Sequence, residues 1–582
     1  MKLLSAFIAL SFALTIAFSQ QTFPQDYFSP PLKIPVATSG TFGELRANHF
    51  HSGFDLRING VIGEPVYAVA DGYVSRIRIS SSGGGKMLYI DHPNGFRSVF
   101  FHLDSYEGEV GKYVYDYQYR NKKFEFEVFT EKGKFPVKKG QQIARAGNTG
   151  SSGGPHLHYE LRYSANDETL NPLLFGLKME DNISPTIRGI NVYLANSESP
   201  GTCISTLKET VKQAVKGKDG KTKTVTKTVD IDTLKAWGML YFGIDYTDKS
   251  AGSTNIGVPK VKLTIDDTVY FSYHIKSFRF DQTRYVNAMI DYPMYIKNGK
   301  RYLVSRILPG NKIHLIEESK NNGYFDCTDG KLHKVVYEVT DFKGNTAKRT
   351  FYLQSDEKAK RVISGSPQDT FYTNTRFAHT STNRISIEDR FSLTAVAGTF
   401  FEDILFRYRE EQDTIKRYYS NLYHLGQEQP IPAFHSYTLQ IKPTVPIPER
   451  LKNKAIIVRI ENGKLYSEGG KWEGGYLTMS TRNFATFAIS LDTIPPEISP
   501  VNFSNNKQSP ATLKVRIKDS LSGIKSYNCY LNNEWILAEY DAKTNTLILD
   551  SGKKLRKGNN KLKVIVVDNC GNQKTEEYTV LF

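Results

Sequence analysis

His51-Ser-Gly-Phe-Asp55, His102 and Pro155-His156-Leu157-His158-Tyr159-Glu160 place imidazoles and a carboxylate in one stretch of the chain. His51, Asp55 and His158 have the chemistry of a catalytic zinc site, which takes three nitrogen or oxygen ligands and leaves a fourth position for water. Zn2+ held this way polarises a carbonyl and brings its water to a pKa of about 7. His102 and His156 would remain to move protons. Side chains on a strand alternate with period two, so His156 and His158 share a face although only one need be a ligand. His51-x-x-x-Asp55 is short enough to curl both side chains toward one ion. A histidine near an aspartate is common on loops, and residue types and spacing alone leave the metal reading open.

Short strands and tight turns position these groups. Pro65-Val-Tyr-Ala-Val-Ala70, the turn Asp71-Gly72 and Tyr73-Val-Ser-Arg-Ile-Arg-Ile79 carry the alternation of half-buried strands. Lys86 to His92 and Phe96 to His102 form a hairpin about Pro93-Asn94-Gly95, which puts His102 at a strand end. The loop Gly147 to Gly154 delivers the strand His156 to Arg162. Gly83-Gly84-Gly85 is a flexible loop beside the site, and no helix start follows it to make a phosphate cradle. Residues 107 to 135, charged and Tyr-rich in alternation, read as an extra hairpin. No amphipathic helix is legible here, so the expected domain is antiparallel β.

The ordered pieces resemble the lysostaphin-type zinc endopeptidases of the LytM family. They are His51-Ser-Gly-Phe-Asp55, Gly63-x-Pro65-Val66-x-Ala68, Gly72-x-Val74, Ile90-Asp-His92, Phe101-His102-Leu103, Val137-Lys-Lys-Gly140-Gln-x-Ile143, Gly147-x-Thr149-Gly150 and His156-Leu-His158. The match runs from about residue 41 to 165. It implies a peptidase that cuts the peptide stems or cross-bridges of bacterial peptidoglycan. The resemblance puts metal ligands on His51, Asp55 and His158, and catalytic histidines on His102 and His156. No motif position is lost, unlike in degenerate members that act as regulators. The departure is an insertion at about 107–135, which bears on the cleft wall and hence on specificity. His49 and His92 read as supporting residues. Glu160 and Arg162 read rather as plain strand residues than as partners orienting His158. His314 and His333 have no identifiable partner.

The whole chain has 582 residues, a net charge of +16, and 35 Tyr and 34 Phe, which favour strands. Its expected fold is mainly β: the antiparallel metallopeptidase domain followed by immunoglobulin-like β-sandwiches. Residues 1–19 read as a signal peptide, with Lys2, an apolar run from Leu3 to Phe18 and a cut near Gln20. Export to the periplasm or cell surface follows, with no transmembrane segment after cleavage. The peptidase domain is placed at 20–176, and a fragment ending there is expected to fold and bind metal alone. A β-sandwich follows at 177–356, then a β-rich domain at 357–492 and a last sandwich at 493–582. His333 to Asn345 repeats as Asn560 to Asn572, and Asp248-Lys-Ser-Ala-Gly252 as Asp519-Ser-Leu-Ser-Gly523. The Lys/Thr run at 207–229 reads as an exposed hairpin or loop. Cys529 and Cys570 could pair in an oxidising compartment. Basic charge suits polyanionic wall polymers, and no nucleic-acid motif is present. Two other functions fit the same chain. One is a non-catalytic wall-binding or amidase-regulating protein. The other is an adhesion scaffold whose sandwich tail binds an envelope protein or polysaccharide.

Overall fold

The computed structural model describes residues 23–179, 181–195, 201–208, 210–216, 222–228, 233–249, 255–361, 371–427 and 429–582. The signal-peptide reading and the tip of the Lys/Thr run, residues 217–221, lie outside them.

A twelve-stranded sheet carries the motif residues. Its central strands are β1 (Phe54–Arg57), β2 (Gly72–Ile79), β3 (Lys86–Asp91), β4 (Phe96–Tyr106) and β5 (His156–Tyr163), in the spatial order β1-β5-β4-β3-β2. All of these neighbours are antiparallel. Period two sorts the side chains: Leu88, Ile90 and Phe100 enter the main core, while Met87, Tyr89 and Val99 form a small cluster with Phe101. The β3–β4 hairpin turns at Gly95, whose φ of 84° lies in the left-handed region that favours glycine.

The expected extra hairpin at 107–135 is instead a helix, α1 (Gly108–Asn121), followed by Phe126–Phe129 paired to the outer edge of β2. Tyr113, Tyr115, Tyr117 and Tyr119 mimic strand alternation, but Val110, Val114 and Gln118, four residues apart, are the buried positions. Lys122 ends the helix in the left-handed conformation. The other face of α1 meets the last sandwich. The Tyr115 and Tyr119 hydroxyls donate to Asp550 Oδ2 at 3.0 and 2.6 Å, and Trp535 packs edge-on to Tyr119.

Three further pairs of sheets follow. Strands between Thr186 and Ser355 form two six-stranded sheets whose apolar faces continue the first domain's core. Strands from Thr373 to Leu491 make sheets of six and five strands around a separate core containing Phe391, Leu439 and Ile457. Glu497 to Leu581 forms two four-stranded sheets around Val515, Leu562 and Val564. The chain is mainly β and antiparallel, with the repeated turns at Asp341–Asn345 and Asp568–Asn572 closing equivalent hairpins. Within the Lys/Thr run, Thr210–Lys216 pairs with Thr222–Thr228. Cys529 and Cys570, which could pair by their positions in the sequence, do not. Cys529 lies in the last sandwich's core, and Cys570 in a separate cluster with Ile456 and Val458.

The first sheet does not close at residue 176. Thr169–Leu170 pairs with Ser277–Phe278, and the Phe278 ring lies 5.3 and 5.4 Å from Phe42 and Phe50. Covering a large apolar side chain contributes about 1.5–3 kcal/mol. A fragment ending at 176 is therefore expected to melt below one ending at 356, and to aggregate on heating. Equal melting temperatures in a thermal denaturation series would show that the second domain adds nothing to the first.

Candidate metal centre

In the sheet register His158 of β5 stands opposite Asp55 of β1 on one side and Phe101 of β4 on the other. His51 arrives from the loop before β1. Asp55 Oδ1 lies 3.0 Å from His51 Nε2 and 2.8 Å from His158 Nδ1, and those two nitrogens are 3.1 Å apart. The outward nitrogens are already engaged. His51 Nδ1 donates to the Thr41 carbonyl at 2.8 Å, and His158 Nε2 to Glu160 Oε1 at 2.8 Å. When neutral, with those outward nitrogens carrying the proton, each imidazole turns a lone pair toward Asp55, the form a metal ligand needs. Ligands about 2.1 Å from a tetrahedral zinc lie about 3.4 Å apart, close to the spacing seen here. The donor set, two imidazoles and one carboxylate, fits a catalytic zinc. The two rings differ in their electrostatics. Burial drives His51 down to about 4. Burial also opposes charge on His158, yet Asp55 and Glu160 push it up to about 9.

Glu160 is the pivot beneath His158. It is fully buried, receives Ser52 Oγ at 2.6 Å and is ion-paired with Arg162 Nε at 2.6 Å. Burial would raise its carboxyl, but Arg162 and His158 hold it down to about 2. Glu160 and Arg162 are thus not plain strand residues: they fix the ring orientation and tautomer of His158. Gly53 is required at the crossing, because a Cβ there would sit 2.3 Å from the Tyr159 carbonyl and 3.0 Å from His158 Nε2. Partners of this kind are worth about 10- to 100-fold in metal affinity. Glu160→Gln, which keeps the volume and loses the charge, is expected to weaken zinc binding by that factor in a chelator competition. Unchanged affinity would reduce Glu160 to a packing role.

His102 and His156 face each other with ring centroids 4.7 Å apart. His102 is not at a strand end, because β4 continues to Tyr106. It sits where the β3–β4 register shifts, with φ of 59°, in the left-handed region uncommon outside glycine. Its Nδ1 donates to the Thr149 carbonyl at 2.8 Å, leaving Nε2 as an acceptor, and burial with His158 and His156 nearby lowers it to about 3. His156 Nδ1 donates to the Gly154 carbonyl at 2.8 Å, and its Nε2 is 3.3 Å from Asp55 Oδ1. A hollow of about 740 Å³, walled by Met87, Tyr89 and Phe101, lies on one side of the site. One of about 500 Å³, walled by Arg57, Pro155 and His156, lies on the other.

Arg46 belongs to the site although its residue type and position do not announce it. Its Nη2 donates to Asp55 Oδ2 at 2.7 Å and it is ion-paired with Glu44 at 3.2 Å. Arg46 ends Thr41-Phe-Gly-Glu-Leu-Arg46, the segment leading into the site, and no local pattern joins it to Asp55. His92 bridges the Asp71 carbonyl and Ser98 Oγ and His49 bonds the Ala47 carbonyl, both as supports. His333 does have partners, Asp266 and Asp329, and His314 has Gln282.

Residues 49–119 and 126–172 match peptidase family M23, and residues 374–492 match the Zu5-like domain. An uncharacterized metalloprotease of Haemophilus influenzae is 32% identical over 146 residues, covering 25% of this chain and 23% of that protein. The peptidoglycan DD-endopeptidase ShyB of Vibrio cholerae is 33% identical over 111 residues, 19% of this chain and 20% of that protein. Among solved structures, the catalytic domain of lysostaphin from Staphylococcus simulans is 25% identical. It covers 25% of this chain and 93% of that one, with a TM-score of 0.19. The chain spans about a quarter or less of the length of these curated relatives. It carries a peptidase M23 domain, and that domain holds every motif residue of the site.

Proposed function

We propose that this M23 domain is a zinc metalloendopeptidase that hydrolyses peptide cross-links of bacterial peptidoglycan. Its metal ligands are His51, Asp55 and His158, and its catalytic histidines His102 and His156. The observation that carries the reading is the convergence of two imidazole lone pairs and the Asp55 carboxylate within 3.1 Å, each ring locked from behind. Zinc bound there would polarise the scissile carbonyl and supply an activated water. The chain's own groups do the rest. Thr149 and Gly154 fix the tautomers of His102 and His156, so that each keeps Nε2 as an acceptor beside the Asp55 trio. Those nitrogens can accept the proton of the attacking water and, once protonated, steady the carbonyl oxygen or return the proton to the leaving amine. The hollows on either side give an extended peptide room to cross the site.

The relatives named as peptidoglycan endopeptidases and the charge of +16 support a wall substrate, met after export to the periplasm or cell surface. No helix among the described residues is long and apolar enough to cross a membrane. The sandwich tail would bind an envelope protein or polysaccharide. Zymography on purified peptidoglycan, with and without a chelator, tests the reading, with mass analysis of the released fragments. Chelator-sensitive release of peptide-cleaved muropeptides is expected. Binding to peptidoglycan with no fragments released would favour a docking module.

A further inference from the structure

Two carboxylate clusters lie away from the peptidase site, one in each of the two domains related by the sequence repeat. One oxygen each of Asp181, Asp248 and Asp341 lie within 4.8 Å of one another, and so do oxygens of Asp492, Asp519 and Asp568. The clusters are built alike. Asp181-Asn-Ile-Ser-Pro185 and Asp492-Thr-Ile-Pro-Pro496 lead into the two sandwiches, and Asp181 and Asp492 accept the Ile183 and Ile494 N–H on Oδ1. In both closing turns an asparagine Nδ2 donates to the second oxygen of its aspartate at 2.7 Å, Asn345 to Asp341 and Asn572 to Asp568. The same amide nitrogens reach back to the carbonyls of Asp181 and Asp492.

A second observation points to a ligand. Asp248 is 1% exposed and Asp181 5%. Each has one satisfied oxygen, but Oδ2 of each is buried with no hydrogen-bond partner among the described residues. In the other cluster Asp519 Oδ2 takes the Leu521 and Gly523 N–H groups, while its Oδ1 is likewise buried and without a partner. Burial, with Asp181 and Asp341 alongside, pushes the Asp248 carboxyl up to about 7. Orphaned buried oxygens and mutually repelling carboxylates are both relieved by a cation. Neither cluster includes a histidine or cysteine. An oxygen-only donor set suits Ca2+, which takes six to eight oxygens at about 2.3–2.6 Å, carbonyls and waters included. Two ligands about 2.4 Å from one ion lie at most about 4.8 Å apart.

We propose that each cluster is a Ca2+ site, one where the chain enters the second domain and one where it enters the last. Asp181 and Asp492 come from the entering segments and the other aspartates from the sandwich itself. Bound Ca2+ therefore pins each segment to the domain it leads into and fixes the reach of the tail relative to the peptidase.

The full chain, saturated with Zn2+ and dialysed against Ca2+ at about 1 mM, the upper end for extracellular modules, is expected to hold two Ca2+. Asp248→Asn and Asp519→Asn should each hold one and the double variant none, all with zinc unchanged. Ca2+ should raise the melting temperature of the wild-type chain and leave the double variant unmoved. It should also slow protease cleavage at residues 177–186 and 492–497, a readout independent of how the variants fold. No Ca2+ retained by the wild type, two ions retained by both single variants, or cleavage indifferent to Ca2+ would overturn the proposal. So would an equal response to Mg2+, which would exclude Ca2+ as the intended ion. If the carboxylates are buried without an ion, the Asn variants should melt higher than the wild type and ignore Ca2+, which also overturns it.

Discussion

His158→Ala is expected to purify with little zinc and to release no measurable fragment from cross-linked peptidoglycan. Of the three proposed ligands, His158 is the one that the sheet places most rigidly. It sits in register between Asp55 and Phe101, its ring is stacked on Phe101 at 4.9 Å, and Glu160 holds it from below. Removing it leaves two donors, His51 and Asp55, and two cannot hold an ion against water as three can. Bound zinc contributes several kcal/mol of charge stabilisation. Turnover should therefore fall by about 10³-fold or more, equivalent to about 4 kcal/mol of barrier. Zinc content separates this from simple unfolding: the variant should keep its far-ultraviolet spectrum, because Arg162 still pairs with Glu160. Stoichiometric zinc in folded His158→Ala protein would sink the ligand assignment, and Asp55→Ala and His51→Ala should behave in the same way.

What was legible in the sequence was what local periodicity controls. Asn94-Gly95 marked the β3–β4 hairpin, and period two put His156 and His158 on one face of β5. The same period continues to Glu160 and Arg162, so the support beneath His158 was readable from the rule that identified the histidine pair. The plain-strand reading outweighs the partner reading in sequence because a Glu–Arg pair looks like ordinary strand polarity until its depth is known. Helix α1 was hidden for a different reason. Its tyrosines at every second position outweighed the buried Val110, Val114 and Gln118, and the helix owes its outer contacts to Trp535 and Asp550, more than four hundred residues away. Arg46 on Asp55 and Phe278 under Phe42 are likewise contacts between segments that no local pattern joins. The acidic clusters fall between these cases, since the repeat was visible and the convergence of three separate segments was not.

His102→Ala is expected to keep zinc nearly stoichiometric while losing about 10²- to 10⁴-fold in turnover, or roughly 3 to 5 kcal/mol of barrier. His102 offers no atom to the trio around Asp55. Its Nδ1 is committed to the Thr149 carbonyl, and its backbone N–H to the Gly84 carbonyl at 2.8 Å. Burial and the neighbouring His158 and His156 hold it at about 3, so it is neutral in neutral solution and presents Nε2 as an acceptor. That is the form a proton acceptor needs. The left-handed backbone at His102 is a conformation that costs of order 1–3 kcal/mol and persists where surrounding structure demands it. If His102 merely packs the bulge, His102→Ala should lower the melting temperature with little change in turnover per zinc. If it handles the proton, turnover falls whatever happens to stability, and His102→Gln, which keeps a polar group but cannot shuttle a proton, should fail nearly as badly. His156→Ala should follow the same pattern from the other side of the site. Near-wild-type turnover in zinc-loaded His102→Ala protein would end the catalytic assignment of that residue.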